Sequence, residues 1–500
     1  MEQFSHFIGG FAVALEPANL WYAFLGCVMG TIVGVLPGLG PAAGMALLIP
    51  ATFGMDPASA IIMLAGLYYG AQYGGSTTSI LINTPGEASS VMTTLDGFQM
   101  ARSGRAGAAL AVAAIGSFIA GTIGVALLSV LAVPLSRFAL QIGPAEYFAL
   151  LLFSMSSVTS LTGSSLPKAA FAVMVGLMIA TVGIDLQSGT ARFTGGVTEL
   201  QDGVGFIVAA VGLFAISEVF VTLEDMFRGK TEIIGIKGTL WLNREEWRRA
   251  RMPILRGSFL GFFKGILPGG GATIATILSY SLERSLSKEP EKFGTGMIEG
   301  VAGPESANNA AATGAFVPLL ALGLPGSAST AILLGAFMIY GVQPGPQLLI
   351  KEPDLVWGLI DSMYIGNVIL FILNLPLIML FVRILYVPAG IMLPLILVVA
   401  SIGVYSMNES VVELYLALGF GVLGYLMRKF SIPIPPLVLS IVLGGLLEKS
   451  FRQSLTISGG DMGILVSSPI AVTLLLASVV VFCIPFLPKR KHKKLESIAK

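Results

Sequence analysis

The chain has 500 residues, 55% of them hydrophobic and 11% charged, with a net charge of +1. That is less than half the roughly 25% charge of a soluble domain, and no basic excess offers a surface to nucleic acid. Its 61 glycines fit closely packed transmembrane helices better than a soluble core.

Met1–Ala18 is short, mixed and aromatic and reads as an interfacial helix; it lacks the basic start of a cleavable signal. Leu20–Phe53 carries GCVMGTIVGVLPGLGPAAG, with Gly26, Gly30, Gly34 and Gly38 at every fourth residue. That spacing lines one helix face with glycine, a strip on which another backbone can pack. Pro37–Gly40 then breaks the helix, because proline removes a donor and glycine tolerates unusual backbone angles. Ala58–Leu95 starts apolar and turns small and polar through Tyr73–Ser79 and Asn83–Ser90. Asp96–Arg105 reads as a loop, and spans are expected at 107–133, 145–161, 168–184 and 204–222.

Leu223–Leu255 is the longest polar stretch and divides two halves. Beyond it the glycine motif recurs as GSFLGFFKGILPGGGATIAT, with Gly257, Gly261, Gly265 and Gly269 each 231 positions after its counterpart. Glu283–Lys292 is a charged loop, and Gly296–Gln343 mirrors the earlier polar region with Gly303–Asn309 and Gly323–Thr330. Spans are expected at 356–383, 387–404, 411–427, 432–447 and 463–487, followed by the basic run Lys489–Lys494. No useful strand alternation occurs, which excludes a β-barrel.

Lysine and arginine placement orients the halves. Thr52–Ser59 has neither, while its counterpart loop has Arg284, Lys288 and Lys292; one loop further on the bias reverses. Equivalent loops therefore face opposite sides. The connecting loop is also basic, so the segment between it and Glu283–Lys292 cannot cross once if both are cytoplasmic. A hairpin broken at Pro268–Gly271 resolves this; full spanning of both glycine motifs is the alternative. The expected fold is an all-α polytopic membrane protein of two inverted-topology repeats, with broken helices or re-entrant hairpins and about eleven transmembrane helices. Residues 1–222 form the first repeat and 223–255 a cytoplasmic connection. Residues 256–487 form the second repeat with an extra C-terminal helix, and 488–500 a basic cytoplasmic tail.

Irregular backbone at membrane depth is tolerated where it is buried or lines a watery cavity, and half-helix N-termini there present N–H groups to an anion. The four Pro-Gly breaks, at Pro37, Pro85, Pro268 and Pro325, are therefore expected to converge. Candidate substrate-binding residues are Gly38, Gly40, Asn83, Thr84, Pro85, Gly86, Ser89, Gly269, Gly270, Gly271, Pro325, Gly326, Ser327 and Ser329. Neutral hydroxyls and amides hold a carboxylate or a cation without stranding a full charge in hydrocarbon. Candidate coupling-ion residues, for sodium or a proton, are Ser76, Thr77, Glu305, Asn308 and Asn309. Glu87, Lys264 and Asp361 are further ionisable groups in apolar surroundings and functional candidates by default, with a place near an interface the equal alternative for the last two. Gly121, in a long apolar span, is expected to accept alanine silently. Cys27 and Cys483 are expected to be reduced, and no metal or organic cofactor is expected. The letters Gly38-Leu-Gly-Pro-Ala-Ala43 match a dinucleotide fingerprint but lack its strand and soluble βαβ setting, and no phosphate-binding P-loop occurs.

At these residues the sequence resembles the large permease subunit of the tripartite tricarboxylate transporter family. Gly34–Pro41, Gly265–Gly271, Tyr69–Ser76, Asn83–Glu87 and Gly303–Asn309 carry the resemblance, which covers nearly the whole chain. It implies a bacterial inner-membrane secondary transporter working with a small membrane subunit and a periplasmic substrate-binding protein. The substrate would be a small organic anion, a di- or tricarboxylate, taken up on an ion gradient. A stand-alone carrier or channel for small anions is the alternative; catalysis is not expected.

Overall fold

The computed structural model describes residues 2–161, 165–185, 187–225, 234–236, 239–269 and 271–483. Gly270, the loop residues Arg228, Lys230 and Lys237, and the basic run Lys489–Lys494 lie outside the described residues. Among the described residues the fold is helical apart from one two-stranded ribbon. Seven helical segments are long and apolar enough to cross a bilayer, so this is an all-α multi-pass membrane protein.

The first half opens with α1 (Glu2–Ala14) and α2 (Pro17–Val35), which proline starts because its fixed φ suits the first turn. Leu36 is extended and Gly38 and Gly40 have φ of 86° and 62°, which turns the chain into α3 (Gly40–Leu48). The Asp56 carboxylate caps α4 (Pro57–Ile82), accepting from Ala58 N–H at 3.0 Å. α5 (Val91–Met100) passes through a π turn, kinked at Gly104, into the 34-residue α6 (Ala106–Ala139). The loop expected at Asp96–Arg105 is thus largely helix. α7 (Pro144–Leu161) and α8 (Leu166–Ala180) follow. Where a span was expected to run on to 184, α8 stops at Ala180 and β1 (Gly183–Ile184) pairs antiparallel with β2 (Ala191–Arg192). α9 (Phe206–Ala210) and α10 (Ser217–Asp225) join through a π segment into one span.

In the second half α11 (Arg244–Ile266) starts with an Asn243/Glu246 capping box and runs unbroken through residue 256, its first turns polar and its last apolar. α12 (Gly271–Leu286), α13 (Glu299–Gly314), α14 (Phe316–Leu322), α15 (Ala328–Ile339) and α16 (Leu348–Lys351) lead to α17 (Pro353–Asn374). The span expected at 356–383 breaks before Pro376, and α18 (Ile378–Val382) resumes it. α19 (Ala389–Asn408), α20 (Val411–Lys429), α21 (Ile434–Ile457) and α22 (Pro469–Cys483) complete the chain.

The glycine strips pack as their spacing dictates. Gly26, Gly30 and Gly34 lie against the backbone of Met63, Leu67 and Ala71 in α4. Gly257, Gly261 and Gly265 lie against Gly303, Ala307 and Ala311 in α13, each 240 positions after its α4 counterpart. Partner numbers rise together, so α2 runs parallel to α4 and α11 parallel to α13. The chain must return between the parallel members, and α3 and α12 are the returning arms. Both glycine motifs are therefore hairpins.

α4 and α13 form the centre. Both are buried along nearly their whole length, although neither is among the seven apolar segments. Their polar side chains face protein rather than lipid, the condition under which a membrane interior accepts them. The two helices run antiparallel: Tyr68 packs on Phe316, Tyr69 bonds Thr313, and Ser76 bonds Glu305. Outside them α19, α20 and α22 expose large apolar side chains such as Ile391, Leu395, Ile402, Tyr415, Leu476 and Val480, the surface that acyl chains would cover.

Candidate functional site

The site is built where each half interrupts its own helices. α4 ends at Asn83 and α14 at Gly323, both left-handed, with φ of 55° and 68°. Pro85-Gly86 and Pro325-Gly326 follow, 240 positions apart. Gly86 packs on the carbonyl of Gly34 and Gly326 on that of Gly265, so each break lies against the glycine helix of its own half. In the second half the Gly269 N–H also donates to the Gly326 carbonyl at 3.1 Å. The next turn closes the same way twice. Ser90 Oγ accepts from Glu87 N–H at 3.4 Å, and Thr330 Oγ1 accepts from Ser327 N–H at 2.9 Å. Ser327 Oγ in turn accepts from Thr330 N–H at 3.2 Å. N–H groups expected to be free for an anion are thus partly capped by the chain's own hydroxyls.

The breaks meet across the halves through side chains of α4 and α13. Asn308 Nδ2 donates to Glu87 Oε1 at 3.0 Å. The Gln72 amide, turned so that its NH2 meets acceptors, donates to Asn308 Oδ1 at 3.0 Å and Glu87 Oε2 at 2.7 Å. The Tyr68 hydroxyl lies against Gln72, Glu87 and Ser327, and Ser89 Oγ lies 3.3 Å from that same NH2 end of the Gln72 amide. Glu305 is fully buried and accepts from the hydroxyls of Ser76 and Thr93. No lysine or arginine among the described residues pairs with either glutamate. Two carboxyl groups held only by neutral donors suit a proton or a cation; a bare anion would be repelled.

Of the residues singled out in the sequence, Ser76 and Glu305 are in direct contact, and Asn308 joins Glu87. Asn309 turns away to donate to Ser117 of α6 at 2.6 Å, and Thr77 faces a small cavity beside α6. Asn83 and Thr84 stay at the end of α4, where Thr84 Oγ1 donates to Ile82 O at 3.3 Å. Gly40 faces Glu87, whereas Gly38 sits at an exposed hairpin tip beside Glu218, which is ion-paired with Arg428. Gly269 packs on the backbone of Ser157 and Val158, and Gly271 opens onto free space. Pro325, Gly326 and Ser329 are buried, and Gly270 lies outside the described residues.

One alternative is excluded and one expectation corrected. Asp361 does not reach an interface: it is fully buried, both its oxygens lack a partner, and it packs on Gly10 of α1. Gly121 is not in open lipid. A Cβ there would lie 2.7 Å from Asn367 Oδ1, on a side chain already held by Tyr73, Phe118 O and Thr122, so alanine forces this contact apart. Cys27 is buried and Cys483 exposed, and both are free thiols.

Sequence reasoning missed Gln72, Thr93 and Asp96. Gln72 is an amide within an otherwise small and aromatic run, a signal that was present; Thr93 carried none. Asp96 read as a loop charge, but it is fully buried and accepts from Tyr280 Oη and the N–H groups of Gly294, Gly296 and Met297 at 2.8–2.9 Å. It clamps α5 of the first half to the entry of α13 in the second.

The chain matches the Tripartite tricarboxylate transporter TctA family over residues 20–439. It is 48% identical over 496 residues to an uncharacterized 52.8 kDa protein in the TAR-I ttuC' 3' region of Agrobacterium vitis, covering 99% of this chain and 98% of that one. It is 47% identical over 234 residues to an uncharacterized protein in the TAR-II ttuC' 3' region of the same organism, covering 47% of this chain and 97% of the relative. No solved structure matches. With both glycine motifs and both paired breaks inside the matched region, the chain belongs to the tripartite tricarboxylate transporter TctA family.

Proposed function

We propose that this chain is the permease of an ion-gradient-driven system that takes up an organic carboxylate, of the di- or tricarboxylate class, across a bacterial inner membrane. A small membrane subunit and a periplasmic binding protein that delivers the substrate complete the system, as the family's tripartite character supports. The carrying observation is the antiparallel meeting of α4 and α13, whose equivalent residues stand 240 positions apart, each with a parallel glycine hairpin and a Pro-Gly break. Read with the reversed Lys/Arg bias, this supports two inverted repeats, with about eleven crossings and two hairpins. Alternating access then has one half close as the other opens around the shared centre.

Glu87 and Glu305 supply the logic of coupling. The substrate carboxylates would meet the hydroxyls of Thr84, Ser89, Ser327 and Ser329 beside these two acidic groups. An anion approaches there at low cost only once a proton or cation has neutralised them, so ion and substrate load together. Uptake into proteoliposomes tests the reading. It should collapse when ion gradients are dissipated at constant ATP, and should require the periplasmic fraction. Persistence without a gradient would refute the coupling, and full activity without the fraction would favour a stand-alone carrier.

A further inference from the structure

Beside the Ser76–Glu305 contact lies a small cavity of about 10 Å3, lined by Tyr73, Ser76 and Thr77 of α4, Ser117 and apolar residues of α6, and Asn374. That space holds one particle the size of a water molecule or a bare monovalent cation. Most of its donors are already engaged. The Tyr73 hydroxyl donates to Asn367 Oδ1 at 2.6 Å, and the Ser76 hydroxyl donates to Glu305. Asn374 Nδ2 donates to Leu370 O at 3.0 Å and to Thr31 Oγ1 of the first hairpin at 3.3 Å. The donors of Tyr73, Ser76 and Asn374 are therefore spent, and among the polar side chains of the lining only Thr77 and Ser117 keep a proton to give.

Two further observations call for positive charge. Asn374 Oδ1 is buried without a partner, as is Asn309 Oδ1 behind Ser117, and a buried orphan acceptor is costly unless something meets it. Asn374 is also the last residue of α17, where the helix breaks before Pro376. A helix C-terminus carries partial negative charge and unpaired carbonyls, an environment that stabilises cations. The Glu305 carboxylate, one hydroxyl away, is the nearest full counter-charge.

We propose that this cavity binds one desolvated monovalent cation of sodium's size, held by neutral oxygens of Ser76, Thr77 and Asn374 with Glu305 as counter-charge. Divalent ions are disfavoured because a single carboxylate balances only one charge. The link from Asn374 to Thr31 ties occupancy to the first hairpin. The proposal deepens the gradient-driven reading above and rests on it, naming the ion and its place.

The test is equilibrium binding of radioactive sodium to the full-length permease in nanodiscs, with choline replacing sodium at constant ionic strength. Wild type should show one saturable site per chain, with potassium a poor competitor. Thr77→Val and Asn374→Leu should each weaken sodium affinity tenfold or more, whereas Thr77→Ser, which keeps the oxygen, should bind as wild type. Size-exclusion profiles identify the folded variants, and the Thr77 pair decides the matter if Asn374→Leu fails to fold. Absence of saturable sodium binding in wild type, or equal affinity in Thr77→Val and Thr77→Ser, overturns the proposal and leaves the cavity to water. Gradient-driven uptake that ignores sodium would end this inference while sparing the functional reading. Sodium binding together with uptake that survives loss of every gradient would do the reverse.

Discussion

The two Pro-Gly breaks have one backbone plan and two chemistries. In both, a left-handed residue ends a helix, a glycine packs on a glycine-helix carbonyl, and a hydroxyl three residues on from the cap accepts the cap's N–H. At the cap itself the first break carries Glu87 and the second Ser327. The first is also tighter: a Cβ on Gly86 would fall 2.6 Å from the Gly75 Cα, while the nearest atom to one on Gly326 is 3.3 Å away. Under the proposed alternating access, duplicated backbone would let two halves exchange roles at similar energy. Charge confined to one break would give the pair a direction, because only that side must be neutralised before it is buried.

The largest effect should come at the hairpin tips. Gly269→Val combines a φ of 75° with collision against the Ser157–Val158 backbone, so it should abolish uptake and cut the yield of folded protein. Gly38→Val, at a φ of 86° and meeting only the carboxylate end of the Glu218 side chain, should abolish uptake while the protein still inserts and folds. Normal transport by both would place the site elsewhere.

Next come the breaks. Gly86→Ala should destabilise by about 3 kcal/mol, the upper end for overpacking, whereas Gly326→Ala should cost about 1 kcal/mol or less. Thermal unfolding of the purified variants measures this, and equal losses would erase the difference in tightness. A subtler contrast tests the charge. Glu87→Gln should lower uptake tenfold or more, about 1.4 kcal/mol in the barrier. Ser327→Ala should cost only the cap, about 1 kcal/mol of stability. If Ser327→Ala proves the more damaging to uptake, the asymmetry has been assigned to the wrong half.

Away from the breaks, the seam between halves is sensitive at Gly121. Gly121→Ala should cost about 1 kcal/mol through Asn367, while Gly419→Ala, open on every side in α20, should be neutral or slightly stabilising. The smallest effect lies at the surface, where the ribbon of the first half meets α21. Arg452 and the N–H groups of Ser188 and Gln187 hold the Asp185 carboxyl well below the usual carboxylate range. A lowered folded pKa contributes stability above the ordinary value of about 4, lost only as pH falls below that value toward the lowered one. Hydrogen exchange in the ribbon should therefore be insensitive to this group from pH 8 to 5 and rise only in stronger acid, a response Asp185→Asn should lack.

The glycine periodicity of Gly26–Gly38 and its recurrence 231 positions on determined the helix–break–helix segments, because four-residue spacing and Pro-Gly chemistry act locally. Low charge and long apolar runs likewise determined a multi-pass membrane protein. Membership of Glu305, Ser76 and Asn308 in one polar centre was legible, since small polar runs in an apolar chain must be buried in protein. Tertiary structure alone decided that the motifs are hairpins, because that followed from which backbones the glycines touch. It alone buried Asp96 and Asp361, and placed Gly121 against Asn367, since burial is set by partners hundreds of residues away. It also brought Thr93 onto Glu305 and left Asn374, with its Oδ1 unpartnered, in the wall of a cavity. No local pattern encodes such pairings: a hydroxyl on a short helix has the same propensity whether it faces water or a carboxylate.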